Sequence, residues 1–143
     1  MEVVRVSEEW QKAAAYYVRA RVCIEDFKVN LSGEFSGDAP HHDYVVVFDG
    51  ILPVATCRIH YLDKDTGQIE RVATLLEYRK RHCASAAVLE AERWLKEKGV
   101  TKILINSRKA VVGFYEKLGY IPDYTRCSGS GLFECVMTEK ILD

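Results

Sequence analysis

A short basic run at the start of a predicted helix is the part of this sequence whose residue types most clearly suggest chemistry. The run is Arg79-Lys80-Arg81-His82, and Cys83 and Ala84 begin the helix. The first N–H groups of a helix have no partner within the helix, and the helix dipole attracts negative charge. We therefore expect these residues to bind an anion, most simply a phosphate group. The alternative is an ordinary solvated basic loop.

A carboxylate on the strand before this run is a candidate proton acceptor. Glu70 is predicted to share one strand face with Val72 and Thr74, because side chains alternate along a strand. The alternative is a surface carboxylate that forms a salt bridge with Arg71.

Two further candidates lie after the helix. Tyr115 lies about thirty residues beyond the basic run, within Phe114-Tyr115-Glu116-Lys117-Leu118-Gly119. By helical pattern alone, Tyr115 is typical of a core aromatic residue, although a positioned phenol can also donate a proton. Asn106 is predicted to end a strand just before this segment, where its amide could contact a ligand or cap the following turn.

Length and composition limit the classes of protein that these residues can serve. The chain has 143 residues, of which 48% are hydrophobic and 29% charged, so a single globular domain over 1–143 is expected. The net charge of −1 does not indicate binding to bulk nucleic acid or to anionic membranes. No apolar run reaches the roughly twenty residues of a membrane span, and the N-terminus has no signal-peptide layout.

The cysteines and histidines indicate neither a disulfide framework nor a metal site. The five cysteines are odd in number and widely spaced, which is typical of a reducing cytoplasm. Cys127 and Cys135 could face each other across a hairpin. None of the four histidines has a metal-ligand spacing to a matching partner, so no metal is predicted. The histidines are His41, His42, His60 and His82.

Hydrophobic periodicity and turn residues predict the elements that must position these side chains. The predicted order is β-α-ββ-β-α-β-α-ββ, an α+β fold (an α/β sandwich) with a mixed sheet flanked by helices. Ser7 is the predicted N-cap of the first helix, and a further helix within 23–30 is left open. The predicted strands cover 3–6, 44–48, 52–61, 68–75, 101–106, 124–128 and 132–140, and the later helices cover 83–98 and 109–118.

With this element order, the sequence resembles the GNAT N-acetyltransferases over nearly its whole length. Arg79 and Ala84 match the ends of the family motif R/Q-x-x-G-x-G/A, while His82 stands where the family usually has glycine. The segment from Phe114 to Tyr120 matches the family pattern F-Y-x-K-L-G-F. A narrower resemblance to the small bacterial ElaA/YjcF-type branch rests on the segments 19–26 and 131–137, which match its motifs loosely.

The resemblance implies an acyl-CoA N-acyltransferase fold with a mostly antiparallel twisted sheet, and acetyl-CoA as cofactor. Residues 79–84 would then hold the pyrophosphate, and Asn106 would contact the pantetheine arm. The backbone of Ala73, Thr74 and Leu75 would pair with the pantetheine amides, because in this fold the strand splays from its neighbour.

The resemblance also implies direct acetyl transfer to a primary amine of a small molecule or peptide. Tyr115 would protonate the leaving thiolate. Glu70 would deprotonate the amine, with Glu25, Asp26 or a water molecule as alternatives. Cys83 at the helix start is not expected to act as a nucleophile, because direct transfer needs no covalent intermediate. Family members of this size often form homodimers.

Two other functions and the acceptor pocket are left open by the sequence. The chain could be a non-catalytic CoA-binding or sensor module with the same fold, and binding of nucleic acid through residues 79–81 is disfavoured by the acidic balance elsewhere. The acceptor pocket is expected between the 26–43 loop and the final hairpin. Residues there that would suit a cationic amine are Glu34, Phe35, Asp38, Tyr44 and Phe133.

Overall fold

One mixed sheet of seven strands runs through the whole molecule. The computed structural model describes residues 1–143. The predicted α+β fold, a sheet flanked by helices, is confirmed. The strands are β1 (Glu2–Arg5), β2 (Asp43–Asp49), β3 (Leu52–Tyr61), β4 (Thr66–Thr74), β5 (Lys102–Arg108), β6 (Ile121–Ser128) and β7 (Cys135–Ile141).

Four α-helices pack around this sheet. They are α1 (Glu9–Val22), α2 (Leu31–Phe35), α3 (Cys83–Glu97) and α4 (Val112–Lys117). A π-helical turn at Cys23–Phe27 extends α1, so the helix left open for the 23–30 region is a continuation of α1. The N-cap of α1 is Glu8, which exchanges hydrogen bonds with Gln11 in a capping box, so the prediction of Ser7 was wrong.

The order of strands in the sheet is β1-β2-β3-β4-β5-β7-β6. Every neighbouring pair is antiparallel except β4 and β5, which are parallel. These two strands pair only from Thr66 and Lys102 to Gln68 and Leu104. Beyond that point they have no mutual pairing, and a cleft opens between them in the middle of the sheet.

The two faces of the central strands bury different helices. Val45, Val47, Cys57 and Ile59 belong to the main core, together with the α3 residues Ala87, Val88, Ala91 and Leu95. A smaller cluster joins Tyr44, Val46 and Phe48 to Ala14 and Ala15 of α1. Burial of apolar side chains thus stabilises the sheet on both of its faces. No helix of the structure combines the length and apolar character that a membrane crossing needs.

Candidate active site

The C-terminal half of β4 presents a free backbone edge to the cleft. Ala73 and Thr74 pair with Thr56 and Ala55 of β3 on one side, and β5 supplies no partner on the other. The carbonyl of Thr74 accepts one hydrogen bond there, from Arg79 Nε at 3.3 Å. Unpaired backbone groups of this kind can accept an added extended strand. This is the splay that the family resemblance implied.

Leu75 does not extend this edge. Its N–H donates to the carbonyl of Val54 at 2.9 Å, and its carbonyl accepts from the N–H of Tyr78 at 2.9 Å. Its side chain is buried in the main core. The N–H of Leu75 is therefore not free for a ligand, and the predicted backbone contacts are best supported at Ala73 and Thr74.

The first backbone N–H groups of α3, which lie beside the cleft, have no hydrogen-bond acceptor within the helix. No side chain caps this helix, and the first N–H with a helical acceptor is that of Ala86, which donates to the His82 carbonyl at 3.0 Å. Lys80 and His82 have left-handed backbone conformations, with φ of 63° and 64°. Glycine adopts this conformation most readily, which accounts for the family's preference at position 82. The His82 side chain is exposed and leaves the backbone donors uncovered.

The basic side chains of the run are partly engaged within the chain. Arg79 forms an ion pair with Asp26, which follows α1, and so crosses the cleft mouth. Arg81 stacks over the ring of Tyr78 at 4.9 Å, and Lys80 is exposed. An incoming phosphate would have to exchange with Asp26 to bind Arg79, whereas the backbone donors and Lys80 need no rearrangement.

The thiol of Cys83, at the start of α3, is buried. Cys83 is only 2% exposed, and burial raises the pKa of its thiol, despite the nearby Arg81. A thiol with a raised pKa is a poor nucleophile at neutral pH, which agrees with the expectation that Cys83 forms no covalent intermediate. Cys83 and Ala84 could therefore contribute only backbone N–H groups to an anion.

Tyr115 lies on the side of the sheet that α3 covers. Its ring packs in the main core beside Tyr120 and Phe114, with ring centroids 6.1 and 4.9 Å away. Burial raises the pKa of Tyr115 well above its usual value, so the phenol stays protonated at neutral pH. Its hydroxyl forms no hydrogen bond with another residue, whereas Tyr120 donates to Glu92 at 2.8 Å. Tyr115 is thus both a core residue and a phenol with an unused proton.

Glu70 and Thr74 lie on opposite faces of the sheet, whereas the alternation of side chains predicted one shared face. Arg58 pairs with Glu70, but Thr56 pairs with Ala73, so β4 has one extra residue here. This β-bulge includes Arg71, whose φ is +50°. A bulge interrupts the alternation of side chains. The prediction of one shared face for Glu70, Val72 and Thr74 was therefore wrong.

The partner of Glu70 also differs from the predicted one. Arg58 Nε lies 3.1 Å from Glu70 Oε1, whereas Arg71 forms its ion pair with Glu34. Glu70 lies two residues beyond the last β4–β5 pair, so its side chain adjoins the open part of the cleft. Glu70 and Tyr115 therefore lie on opposite faces of the sheet.

The other predicted candidates have clear positions. Asn106 does not end its strand, because β5 continues to Arg108; its exposed amide lies 3.5 Å from Ser128 Oγ. It lies in the part of β5 that has no β4 partner. Glu25 forms an exposed ion pair with Arg21, and Asp26 pairs with Arg79.

The acidic residues expected in the acceptor pocket form ion pairs with arginines of the same chain. Asp38 contacts Arg19 at 2.7 Å and Arg58 at 3.1 Å, and Glu34 contacts Arg19 at 3.1 Å. Tyr44 is buried, and Phe35 packs against Tyr16. These four side chains thus have partners within the chain, and Phe35 and Asp38 also line a surface cavity; their contact with a cationic amine stays a prediction.

Phe133 is the exception among these pocket residues. Its ring packs 5.6 Å from that of Phe27, which follows α1, and Arg108 lies 4.9 Å over Phe27. This contact joins the 26–43 segment to the final hairpin; an acceptor pocket between them stays a prediction.

Three histidines that are distant in sequence meet beside β3. The possible metal-ligand atoms of His41, His42 and His60 lie within 4.8 Å of one another, an arrangement that sequence spacing did not predict. The N–H of Ala39 donates to His42 Nδ1 at 3.2 Å, so the neutral ring carries its proton on Nε2. His42 Nε2 lies 2.9 Å from His60 Nδ1. In this tautomer His42 Nε2 donates its proton to the lone pair of His60 Nδ1, so neither of these facing nitrogens offers a free lone pair to a metal.

The buried His42 predicts a pH dependence of stability. Burial lowers its pKa below the ordinary 6.5, and Arg58 and His41 lower it further. The unfolded chain therefore binds this proton at a higher pH than the folded chain, so the free energy of unfolding falls as pH drops below 6.5. For one group the slope reaches at most about 1.4 kcal/mol per pH unit.

Denaturation at pH 5.0–7.5 measures this effect. We expect the free energy of unfolding of His42→Asn to fall less steeply with decreasing pH than that of wild type. The exposed His82 offers a control, since His82→Asn tolerates the left-handed backbone and should keep the wild-type slope. Parallel curves for wild type and His42→Asn would contradict this prediction.

The cysteines all have free thiols. Cys135 pairs with Ser128, and Cys127 pairs with Val136, so the two cysteines do not lie directly opposite each other. The expectation that they face each other across the hairpin was wrong.

Known proteins match this chain over almost its full length. A profile of the acetyltransferase (GNAT) family matches residues 5–120. A Bacillus subtilis (strain 168) protein described as an acetyltransferase is 32% identical and covers 98% of this chain and 97% of its own. YjcF of the same organism, described as an N-acetyltransferase, is 28% identical over 84% of this chain and 85% of its own.

Solved structures match the fold equally broadly. An N-acetyltransferase from Lactobacillus plantarum has a TM-score of 0.90 at 25% identity, covering 99% of this chain and 98% of its own. Escherichia coli ElaA has a TM-score of 0.82 at 15% identity, covering 97% and 98%. An aminoglycoside 6'-N-acetyltransferase in complex with coenzyme A has a TM-score of 0.77 at 13% identity, covering 99% and 97%.

Proposed function

Because this chain belongs to the GNAT acetyltransferase family, we propose that it transfers an acetyl group from acetyl-CoA to a primary amine of a small molecule or peptide. The observation that carries the proposal is the cleft between β4 and β5, which has a free backbone edge at Ala73 and Thr74 and an uncapped helix start at Cys83. The first feature suits an amide-bearing arm and the second suits a pyrophosphate.

The residues of the cleft suit CoA in their hydrogen-bonding groups and charge. The N–H groups from Lys80 to Ala84 would hold the pyrophosphate, with Arg79 and Arg81 supplying positive charge. Asn106 and the edge at 73–74 would contact the pantetheine arm. The aminoglycoside 6'-N-acetyltransferase, which has the same fold, was solved in complex with coenzyme A, and this supports CoA as the cofactor.

The chemistry then divides between two side chains on opposite faces of the sheet. Bound acetyl-CoA would supply an acetyl group activated as a thioester. Glu70 would take a proton from the acceptor ammonium, directly or through water, so that the neutral amine can attack. Tyr115 would hold a proton on its hydroxyl for the leaving sulfur, because burial keeps this phenol protonated at neutral pH.

Stabilisation by CoA tests the cofactor site. At about 100 times Kd, binding adds about 2.7 kcal/mol to the free energy of unfolding. For a chain of this size this corresponds to a rise in Tm of roughly 5–10 °C. We expect Arg79→Ala to weaken CoA binding roughly tenfold, because a charge-assisted contact to phosphate is lost.

A matched variant separates this effect from a general loss of charge. Lys96 lies in the last turn of α3, at the opposite end from the proposed phosphate site. Lys96→Ala should keep the full thermal shift measured by differential scanning fluorimetry. If saturating CoA leaves the Tm of the wild-type protein unchanged, the cofactor site is wrong.

A second function, a CoA-binding or sensor module without catalysis, is favoured by one observation. Arg79 is held by Asp26 across the cleft mouth, so cofactor binding would rearrange this contact and could signal occupancy. A turnover assay with acetyl-CoA and a panel of primary amines, read out as free thiol, separates the two functions. A thermal shift without thiol release from any amine would favour the sensor.

We further propose that residues 1–143 form a single N-acetyltransferase domain that works in the cytoplasm. The relatives reported above come from bacteria, which suits a bacterial origin. No nucleic acid or membrane partner is proposed. A homodimer is proposed from the family's habit at this size, and analytical ultracentrifugation would test it.

A further inference from the structure

The residue whose position is least explained so far is Arg58, a buried arginine at the centre of the sheet. Its side chain is 6% exposed and lies on β3, directly opposite Glu70 in the strand register. A charged side chain is rarely buried unless it is fully paired, because removing it from water is costly. The contacts of Arg58 therefore indicate what holds it there.

One edge of the guanidinium is directed at a single oxygen of Glu70. Nε and Nη2 of Arg58 each lie 3.1 Å from Glu70 Oε1. The second oxygen, Oε2, has no hydrogen bond or ion pair within the chain, and the Glu70 side chain is 23% exposed. One oxygen of the carboxylate is thus anchored, and the other is free beside the open part of the cleft.

The other end of the guanidinium is clamped by a second carboxylate. Arg58 Nη1 lies 3.1 Å from Asp38 Oδ1 but forms no well-aligned hydrogen bond. Asp38 is itself held by Arg19 at 2.7 and 2.8 Å and by the hydroxyl of Tyr44 at 2.5 Å. Burial would raise the pKa of Asp38, but the hydrogen bonds from Arg19 and Tyr44, together with the nearby Arg58, outweigh it and hold that pKa well below its usual range.

We propose that Arg58 is a positioning residue for the acetyl transfer: it fixes one oxygen of Glu70 and orients Oε2 towards the acceptor amine. This inference rests on the proposed function, in which Glu70 is the base. A planar guanidinium that lies between two carboxylates limits the rotation of Glu70, which a flexible ammonium cannot do. A base that is already oriented needs no rearrangement during proton transfer.

The charges around Arg58 decide what its removal would do. The Arg58–Glu70 pair has charged or titratable neighbours on several elements. They are Arg19 on α1, Glu34 on α2, Asp38 and His42 in the segment before β2, and Arg71 on β4. Arg19 remains bound to Asp38 and Arg71 to Glu34. Without Arg58, Glu70 would therefore lose the only counter-charge that it contacts.

Two substitutions test the orientation of Glu70. Arg58→Lys keeps a positive charge but cannot reach Glu70 and Asp38 together, so we expect kcat to fall about 10–100-fold with the KM for acetyl-CoA unchanged. Arg58→Met removes every contact with Glu70, so we expect a loss of kcat at least as large. A merely structural role would lower the Tm and the CoA thermal shift together with kcat.

A double-mutant cycle with Glu70 tests whether Arg58 acts through that residue. Glu70→Gln and Arg58→Lys/Glu70→Gln should have the same turnover, because the second change has nothing left to orient. Multiplied losses would overturn the inference and leave the proposed function intact. Full activity of Glu70→Gln would instead show that the base assignment fails, and the Arg58 inference would fail with it.

Folding is monitored in the same samples. Each variant should keep the wild-type thermal shift with CoA, since Arg58 lies outside the phosphate site. Should Arg58→Lys not fold, Asp38→Asn takes its place in the cycle, because it releases one end of Arg58; we expect a smaller loss that likewise vanishes in the Glu70→Gln background. The matched control is Arg71→Lys, whose exposed side chain contacts Glu34 and not Glu70; it should keep wild-type turnover.

Discussion

Replacing Tyr115 with phenylalanine is expected to lower turnover about 10²–10⁴-fold, which is the usual contribution of a positioned general acid. The ring and its packing against Phe114 and Tyr120 stay, and the hydroxyl has no hydrogen bond to lose. CoA affinity and the free energy of unfolding should therefore remain close to wild type. The measurement is thiol release from acetyl-CoA with a panel of primary amines.

Tyr120 provides a control with the opposite expected outcome. It is equally buried, but its hydroxyl donates to Glu92 at 2.8 Å, and Glu92 also binds Lys140. Tyr120→Phe should lower the free energy of unfolding by about 1.5–3 kcal/mol, because it removes a buried hydrogen bond to a charged group. Its specific activity should be kept.

The pair of variants distinguishes a proton donor from a core aromatic residue at position 115. If Tyr115→Phe loses stability and keeps specific activity, Tyr115 serves the core alone. If both are unchanged, water or another group protonates the leaving sulfur. Slow hydrolysis of acetyl-CoA can replace the transfer assay until an acceptor amine is found.

Replacing Glu70 with glutamine is expected to cause a loss of similar size, about 10²–10⁴-fold in kcat/KM near neutral pH. Glutamine keeps the size of the side chain but cannot take a proton from the acceptor ammonium. The loss should shrink as pH rises towards the pKa of the acceptor, because a growing fraction of the amine is then already neutral. An acceptor amine of low pKa should show the smallest loss.

The two rival carboxylates supply the comparison for Glu70. Glu25 is exposed and paired with Arg21, and Asp26 is paired with Arg79. Glu25→Gln should keep wild-type kcat, and Asp26→Asn should change CoA binding more than kcat, because it releases Arg79. A large loss of kcat in Asp26→Asn with full activity in Glu70→Gln would assign the base to Asp26.

The family and the fold class could be predicted because their signals are local. Gly50, at a φ of 61°, lies in the turn between the predicted strands 44–48 and 52–61. Gly119 ends the helix segment that carries Tyr115, with a φ of 98°. The basic run and the start of α3 at Cys83 lie where the helical pattern begins. Each of these features depends on neighbours in the chain.

The arrangement around Glu70 could not be read in the same way. The bulge at Arg71 depends on which β3 residues pair with β4, and it reversed the predicted face of Thr74 relative to Glu70. Arg58 and Asp38 are distant in sequence from Glu70, and neither has a local motif that indicates an ion pair. The only available signal for Asp38 was its place in a long loop, where acidic residues are usually solvated.

The sequence by itself thus determined most of the elements, the helix start at Cys83 and the position of Tyr115, because hydrogen bonding within one segment and the period of its apolar residues decide these features. Only the tertiary structure decided where β4 leaves β5, which carboxylate faces the cleft and which buried arginine holds it. Strand register and buried ion pairs join residues that are far apart along the chain. Their energies depend on the packing of the whole sheet, which no local pattern records.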